Sequence, residues 1–510
     1  MKRWAKYLFV FMALFLVACG SSGGKGSSSG GKTLTVGLSG DAISLDPVMT
    51  NDNQSSNVMT QIYEGLVKLD KDGKIVPALA ESYEQVDDVT YRFKLKKGVK
   101  FHNGEEMKAS DVVFSLKRAI VAPNVTHLFQ TIDENTVKAL DDYSVEFKQK
   151  EPFAGIMSAL CHPGGFIVNE KAVKKAGDDY SQHPVGTNAL KFVKWSRSNS
   201  IELEKFKDYH GEKLGFDKLV LRVIPEPSNR VIELESGGVD MAYDIIATDL
   251  KKVEENPDLN LIKSLDYGET YMGFNCAKKP LNDPKVREAI SLALDTDSIV
   301  KAVFHDLGKT AKGVLPPTLP YSIADKQSLQ KRDVEKAKAL LKEAGVEKGF
   351  KLSIATNENK DRSDMATAMK EQLAEVGIDA SINVLEWSAF NDLLKKGGQD
   401  LFMIAWTADS SDPDTFLFPC FHSSARGEGG NYIFLEDKKV DELLEKGRYA
   451  QEDSERAKSY EEVQKYLMDI HAWVPLHNKE LTCATRKNIK GMWLSPLGFY
   501  QITQVKIEDK

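Results

Sequence analysis

Between Phe350 and Trp406 the sequence switches repeatedly between strand-like and helix-like periodicity, and this constrains the fold more than any other feature. FKLSI (350–354) predicts a strand. Ser363 is placed to cap a helix whose apolar face is Met365, Met369, Leu373 and Val376, with Gly377 as its stop. IDASINVL (378–385) alternates apolar and polar side chains, as a half-buried strand does. Ser388 to Lys396 predicts a second helix ended by Gly397-Gly398, and Leu401 to Trp406 is an apolar strand. Strand, helix, strand, helix, strand is the grammar of an α/β lobe on a largely parallel sheet.

The whole chain has 510 residues, enough for about three domains or lobes at ~150 residues each. With 28% charged and 42% hydrophobic residues it is neither fibrous, wholly disordered nor a multi-span membrane protein. Other helices are signposted. Pro284, after Asn282-Asp283, opens VREAISLALD, and Asp333 caps VEKAKALLKEA, which stops at Gly345. Within 453–470, Tyr460, Val463, Tyr466, Leu467 and Ile470 share one face. The stretch 33–260 is more mixed, with strand-like TYRFKLKKGVKF and a helix over 110–120 capped by Ser110. No repeat at solenoid or propeller spacing is visible.

The first residues predict a compartment. Lys2, Arg3 and Lys6 precede the apolar run YLFVFMALFLVA (7–18), which is too short to span a bilayer but fits a signal peptide over 1–18. Leu16-Val17-Ala18-Cys19 resembles a bacterial lipoprotein box, in which the Cys19 thiol takes a diacylglycerol thioether. GSSGGKGSSSGG (20–31) predicts a flexible tether of ~20 Å, so 19–32 reads as a lipid-anchored cysteine and its linker. Residues 26–33 also satisfy GxxxxGK[ST], but a phosphate-binding loop must follow a strand and open a helix, and here a linker precedes and a strand follows.

Several chemistries are missing from the sequence. A net charge of −7 argues against nucleic acid, whose binders carry a basic excess. The nine histidines are scattered, with no HEXXH, and no GxSxG elbow is present outside the Gly/Ser linker. DSSDPD (409–414) lacks the Gly and Glu of a calcium-binding loop. Its Asp412-Pro413-Asp414 reads as N-cap, first position and first turn of a helix. Cys161, Cys276, Cys420 and Cys483 form no CxxC pair; two disulfides or four buried thiols are both open. No catalytic residue, metal site or cofactor is expected.

Six ordered blocks carry a resemblance. They are SLDP (44–47) with QIYEGLVKLDKDGKIVPALAESYE (61–84), FKLKKGVKFHNGEEMKASDVVFSLKR (93–118), HPVGTNALKFVKW (183–195), LESGGVDMAYD (234–244), YMGFNCAKKPLNDPKVREAISLALD (271–295) and WTADSSDPDTF (406–416). Together they resemble the extracellular solute-binding proteins of ABC importers in the oligopeptide, dipeptide and nickel group. Asn188-Ala189-Leu190 depart from the family pattern, and the turn-rich GVKFHNGE and PVGT segments read as structural.

The resemblance implies a two-lobed α/β fold of the type II periplasmic binding class, with an enlarged first lobe, an interlobe ligand cleft and two hinge crossovers. Lobe I would hold 33–265 plus 485–510, with an extra subdomain at roughly 60–180, and lobe II would hold 266–484. In peptide-binding relatives a matching Trp-x-x-Asp puts the Asp on the ligand's α-ammonium, which implies that role for Asp409 beside Trp406 and Thr407. The family's carboxylate-binding Arg falls at Thr356 by ungapped counting, so Arg362 in the same loop is the replacement candidate. Trp387 and Tyr271 complete the expected ligand-binding set. The implied protein is a monomer, not an enzyme, held to the membrane only by its lipid. It hands peptides to permease subunits driven by cytoplasmic ATPases. A nickel chelate or another small solute is the alternative cargo, and a ligand sensor or extracellular hydrolase the alternative class.

Overall fold

A computed structural model describes residues 31–305 and 307–509. Cys19, the apolar leader and the tether through residue 30 lie outside the described residues.

One eleven-stranded sheet organises the molecule. In spatial order its strands are Ile378–Leu385, Phe350–Asn357, Leu401–Thr407, Leu259–Phe274, Trp473–Arg486, Met241–Tyr243, Thr33–Leu38, Lys218–Val223, Ser200–Lys205 and Leu190–Ser196, with Lys309–Thr310 added along Trp473–Arg486. Two strands are much longer than the rest, and each belongs to both halves. Leu259 to Leu265 pairs with Glu480 to Arg486, next to Met241–Tyr243. Glu269 to Gly273 pairs with Trp473 to Asn478, next to Leu401–Thr407. Between Leu265 and Glu269 the register shifts, so the ladder is interrupted where the halves meet.

In the second half the predicted unit is present. Phe350–Asn357 runs parallel to both Ile378–Leu385 and Leu401–Thr407. Leu401 and Met403 enter one core with Met365, Met369 and Leu373. Phe402 and Ile404 enter the opposite core with Phe390, Phe416 and Trp473. A strand covered on both faces needs apolar side chains in succession, and LFMI supplies them. In the first half, a separate antiparallel sheet (Ala80–Gln85, Thr90–Leu95, Ser144–Lys148, Lys138–Asp141) has its own core around Phe93, Phe101, Phe129 and Phe147.

Three helix starts differ from expectation. The helix Lys360–Ala374 is capped by Asn359, whose Oδ1 accepts from the Arg362 N–H at 2.9 Å; Ser363 is already inside it. The helix Ala109–Val121 starts before Ser110, and the Asp111 carboxylate accepts from the Lys108 N–H at 3.0 Å. The helix Asp414–Phe421 has Pro413 rather than Asp412 at its cap. Asp412 does accept from the Asp414 N–H at 3.0 Å, but both its oxygens are taken by Arg456 Nη2, at 2.9 and 2.8 Å. In the first and third helices a side-chain oxygen accepts from a free N–H of the first turn, and in the second Asp111 reaches back to the N–H of the cap residue Lys108.

The turn segments are structural. Gly104 has φ +87° in the Asn103-Gly104 turn. At Gly186 a Cβ would lie 2.0 Å from the Ile62 carbonyl oxygen, so only glycine lets the two backbones approach. Cys161, Cys276, Cys420 and Cys483 are free thiols, and burial pushes all four up.

Candidate functional site

The strand Phe350–Asn357 lies between the two strands that follow it in sequence, so the connections leave it in opposite directions. Open α/β sheets bind ligands in the crevice outside the carboxyl ends of such diverging strands. Here the crevice is flanked by Asn357 to Arg362 on one side and Trp406 to Asp409 on the other.

Asp409 follows the strand Leu401–Thr407 and is half-exposed. Its Oδ2 meets His127 Nε2 at 3.1 Å, across from the separate subdomain of the first half. The other members of the acidic run are neutralised in the interior. Asp412 pairs with Arg456, and Asp414 holds Arg448 through Nε at 2.9 Å and Nη2 at 2.8 Å. Asp409 is therefore the carboxylate of this run that faces the cleft without a guanidinium on it. Trp406 anchors the turn: its indole N–H donates to the Thr415 carbonyl at 3.2 Å, and its ring packs over Gly430. Thr407 is exposed at the strand end, in register with Gly268.

Arg362 sits at the other flank. Its Nη1 donates to Asn357 Oδ1 at 2.7 Å, and among the described residues no carboxylate forms a salt bridge with it. Burial pulls its guanidinium below the ordinary value, against the opposing pull of Tyr271 and Asp361. Tyr271 is not on the cleft wall. It is 1% exposed and stacks on Trp473 with centroids 3.8 Å apart, behind Arg362. Trp387, by contrast, is exposed at the first position of its helix, after the strand Ile378–Leu385. Thr356 is buried in its strand and its Oγ1 has no partner among the described residues. The structure thus gathers Trp387, Arg362, Trp406, Thr407 and Asp409 at one end of the sheet and puts Tyr271 beneath them.

Sequence reasoning missed Glu269 and the facing wall. Glu269 lies on the first crossover strand, in register with Trp406 and Asn478. Asn478 Nδ2 donates to its Oε2 at 3.1 Å, Oε1 has no partner among the described residues, and burial drives its carboxyl well above the carboxylate range. From the first half come His127, His162 and Ser158. His162 is buried and held down at about 4 by desolvation, opposed by nearby Asp409. Ser158 Oγ meets Ser411 Oγ at 2.5 Å across the divide. Beside these contacts a cavity of about 140 Å³ is lined by both halves, including His127, Phe153, Thr415 and Arg448. These residues come from distant stretches of chain, and no local pattern announces them.

Two α/β lobes facing each other across a polar cleft and joined by two shared strands define a two-lobed solute-binding protein. The chain belongs to the bacterial extracellular solute-binding proteins, family 5, whose model (the family's "Middle" region) matches residues 74–428. Among curated proteins it is 30% identical over 477 residues to a glutathione-binding protein of Shigella flexneri, covering 91% of this chain and 92% of the relative. Among solved structures it is similar to a periplasmic binding protein of Helicobacter pylori in complex with the peptide STSA (27% identity, TM-score 0.78, 94% of this chain and 98% of that one). It is likewise similar to the oligopeptide-binding protein of Bacillus subtilis in complex with a nonapeptide (26% identity, TM-score 0.75, 94% and 99%). Family membership makes it a substrate-binding protein of the ABC importer type, acting outside the cytoplasm with permease and ATPase components.

Proposed function

We propose that this chain is a lipid-anchored receptor that captures peptides in its interlobe cleft and delivers them to an ABC permease. Lobe I would comprise 33–265 with 485–510 and lobe II 266–484, turning about the interrupted ladder between Leu265 and Glu269. The observation that carries the reading is Asp409, a carboxylate in the cleft met by a histidine of the opposite wall. Stripping water from an α-ammonium is costly unless a carboxylate pairs with it, and Asp409 is placed to do so. Arg362, without a carboxylate partner among the described residues, suits the opposite end of a short peptide. Extended backbone between the two would be held by main-chain hydrogen bonds, as in strand addition.

Glutathione is a second reading, favoured by the identity to glutathione-binding relatives over nine-tenths of the chain. It presents one α-ammonium and two carboxylates. Calorimetric titration separates the cargoes and tests the clamp. For a free-amine peptide, Asp409→Asn should weaken binding by ~10²–10³-fold, the cost of leaving a desolvated ammonium unpaired. The N-acetylated peptide should bind wild type poorly and be indifferent to the change. Equal losses for both ligands would remove Asp409 from the ligand site. Glutathione outcompeting every peptide tried would make it the cargo.

A further inference from the structure

The cleft cavity is not the largest concavity of the molecule. A pocket of about 720 Å³ opens in lobe I, lined in part by Lys68, Lys96, Lys213, Lys490 and Lys506. None of these five ammonium groups has an ion-pair or hydrogen-bond partner among the described residues. The carboxylates nearby do not neutralise them. Glu64 accepts from Thr187 Oγ1 and meets His210 Nε2, both at 2.9 Å, and Glu212 is exposed at the rim. Lys490 and Lys506 are direct cross-strand partners in the ribbon formed by Ile489–Lys490 and Lys506–Ile507. Like charges directly opposite on a ribbon destabilise it. A protein of net charge −7 thus concentrates five unpaired cations in one concavity, at a local cost.

The position of this pocket suggests its ligand. The described chain enters the fold beside it. Lys32 Nζ donates to the Ile507 carbonyl at 2.9 Å, the Lys32 carbonyl accepts from the Asp217 N–H at 2.7 Å, and Gly215 bridges to Lys506. A Gly/Ser tether over 19–32 would span ~20 Å, which would keep this lysine-lined face within reach of the bilayer. Cations within a Debye length of an anionic surface, ~10 Å at 0.1 M salt, are drawn to it.

We propose that the lysine-lined pocket binds the phosphate headgroups of anionic lipids and so sets how the tethered receptor sits on its membrane. The inference rests on reading residues 19–32 as a membrane tether, and its test is made independent of the anchor. The chain from Gly20 onward, which keeps every described element, is sedimented with vesicles of phosphatidylglycerol mixed into phosphatidylcholine, and with phosphatidylcholine alone. It should bind the anionic vesicles, and added salt should weaken that binding. Lys490→Glu with Lys506→Glu should reduce it by about tenfold or more. Lys342→Glu with Lys348→Glu, on lobe II, should leave it unchanged. Lys96→Ala with Lys213→Ala serves if the ribbon variant melts early. No binding of the wild-type chain to anionic vesicles, or equal binding by wild type and the pocket variants, overturns the proposal. Calorimetric binding of inorganic phosphate without vesicle binding also overturns it, assigning the pocket to a soluble anion. Fatty-acid labelling of the full chain with and without Cys19→Ser judges the tether separately. Failure there leaves the vesicle result standing.

Discussion

Neighbouring aspartates in one short acidic run have different work. Asp409 meets only His127 across the divide and carries no guanidinium, whereas Asp412 spends both oxygens on the buried guanidinium of Arg456. Asp412→Asn should therefore act on folding, lowering stability by up to ~3–5 kcal/mol in denaturant unfolding while sparing ligand affinity in the folded fraction. Unchanged stability with weakened binding would reverse the two assignments. A second residue-scale consequence concerns pH. His102 is buried, its Nε2 2.8 Å from the Asn188 carbonyl, and desolvation holds it at about 4. An unfolded histidine titrates near 6.5. Between those values the unfolded chain binds the extra proton, so His102 makes stability fall as pH drops from about 6.5 towards 4. The slope is ~1.4 kcal/mol per pH unit. His102→Gln should flatten the stability-versus-pH curve by that slope. An unaltered slope would mean that His102 is protonated in the fold.

At the scale of elements, legibility followed period. The strand Ile378–Leu385 has the bounds its alternation predicts, and the helix face Met365, Met369 and Leu373 is buried as its spacing requires. Caps were less legible, because Ser, Asn and Asp one turn apart compete for the same N–H groups, and Asn359 outcompetes Ser363. Leu259–Phe274 and Trp473–Arg486 were expected only through the family resemblance. Each changes pairing partners part-way, so no single face stays buried along its length. The candidate site was legible as far as it is local: Trp406, Thr407 and Asp409 follow one apolar strand, while His127 and Glu269 reach it through the tertiary fold. Backbone proximity gives an element-scale prediction. Gly186→Ala would place a methyl 2.0 Å from the Ile62 carbonyl oxygen and force two segments apart. It should cost ~1–3 kcal/mol in denaturant unfolding. A neutral result would mean the segments can separate freely.

At the scale of the whole molecule, the contacts between lobes bear on how ligand gets in. His127 meets Asp409 and Ser158 meets Ser411 across the divide, and Gln85 Nε2 donates to Gln451 Oε1 at 2.8 Å. The cavity these contacts leave, about 140 Å³, falls short of the ~300–1,000 Å³ of small-molecule sites. On the proposed reading a peptide enters an opened form, in which Asp409 would exchange His127 for the ligand's ammonium. The interrupted ladder at Leu265 to Glu269 is where the crossover strands can bend. A ligand shifts such an equilibrium only by its differential affinity for the two states, which bridging both lobes provides. The most direct test is small-angle X-ray scattering of the free protein and of the protein saturated with a peptide whose binding has been established by calorimetry. Capture between the lobes predicts that the saturated sample scatters as the closed form, with a radius of gyration no larger than that of the free protein, whereas a saturated sample more expanded than the free protein would contradict it.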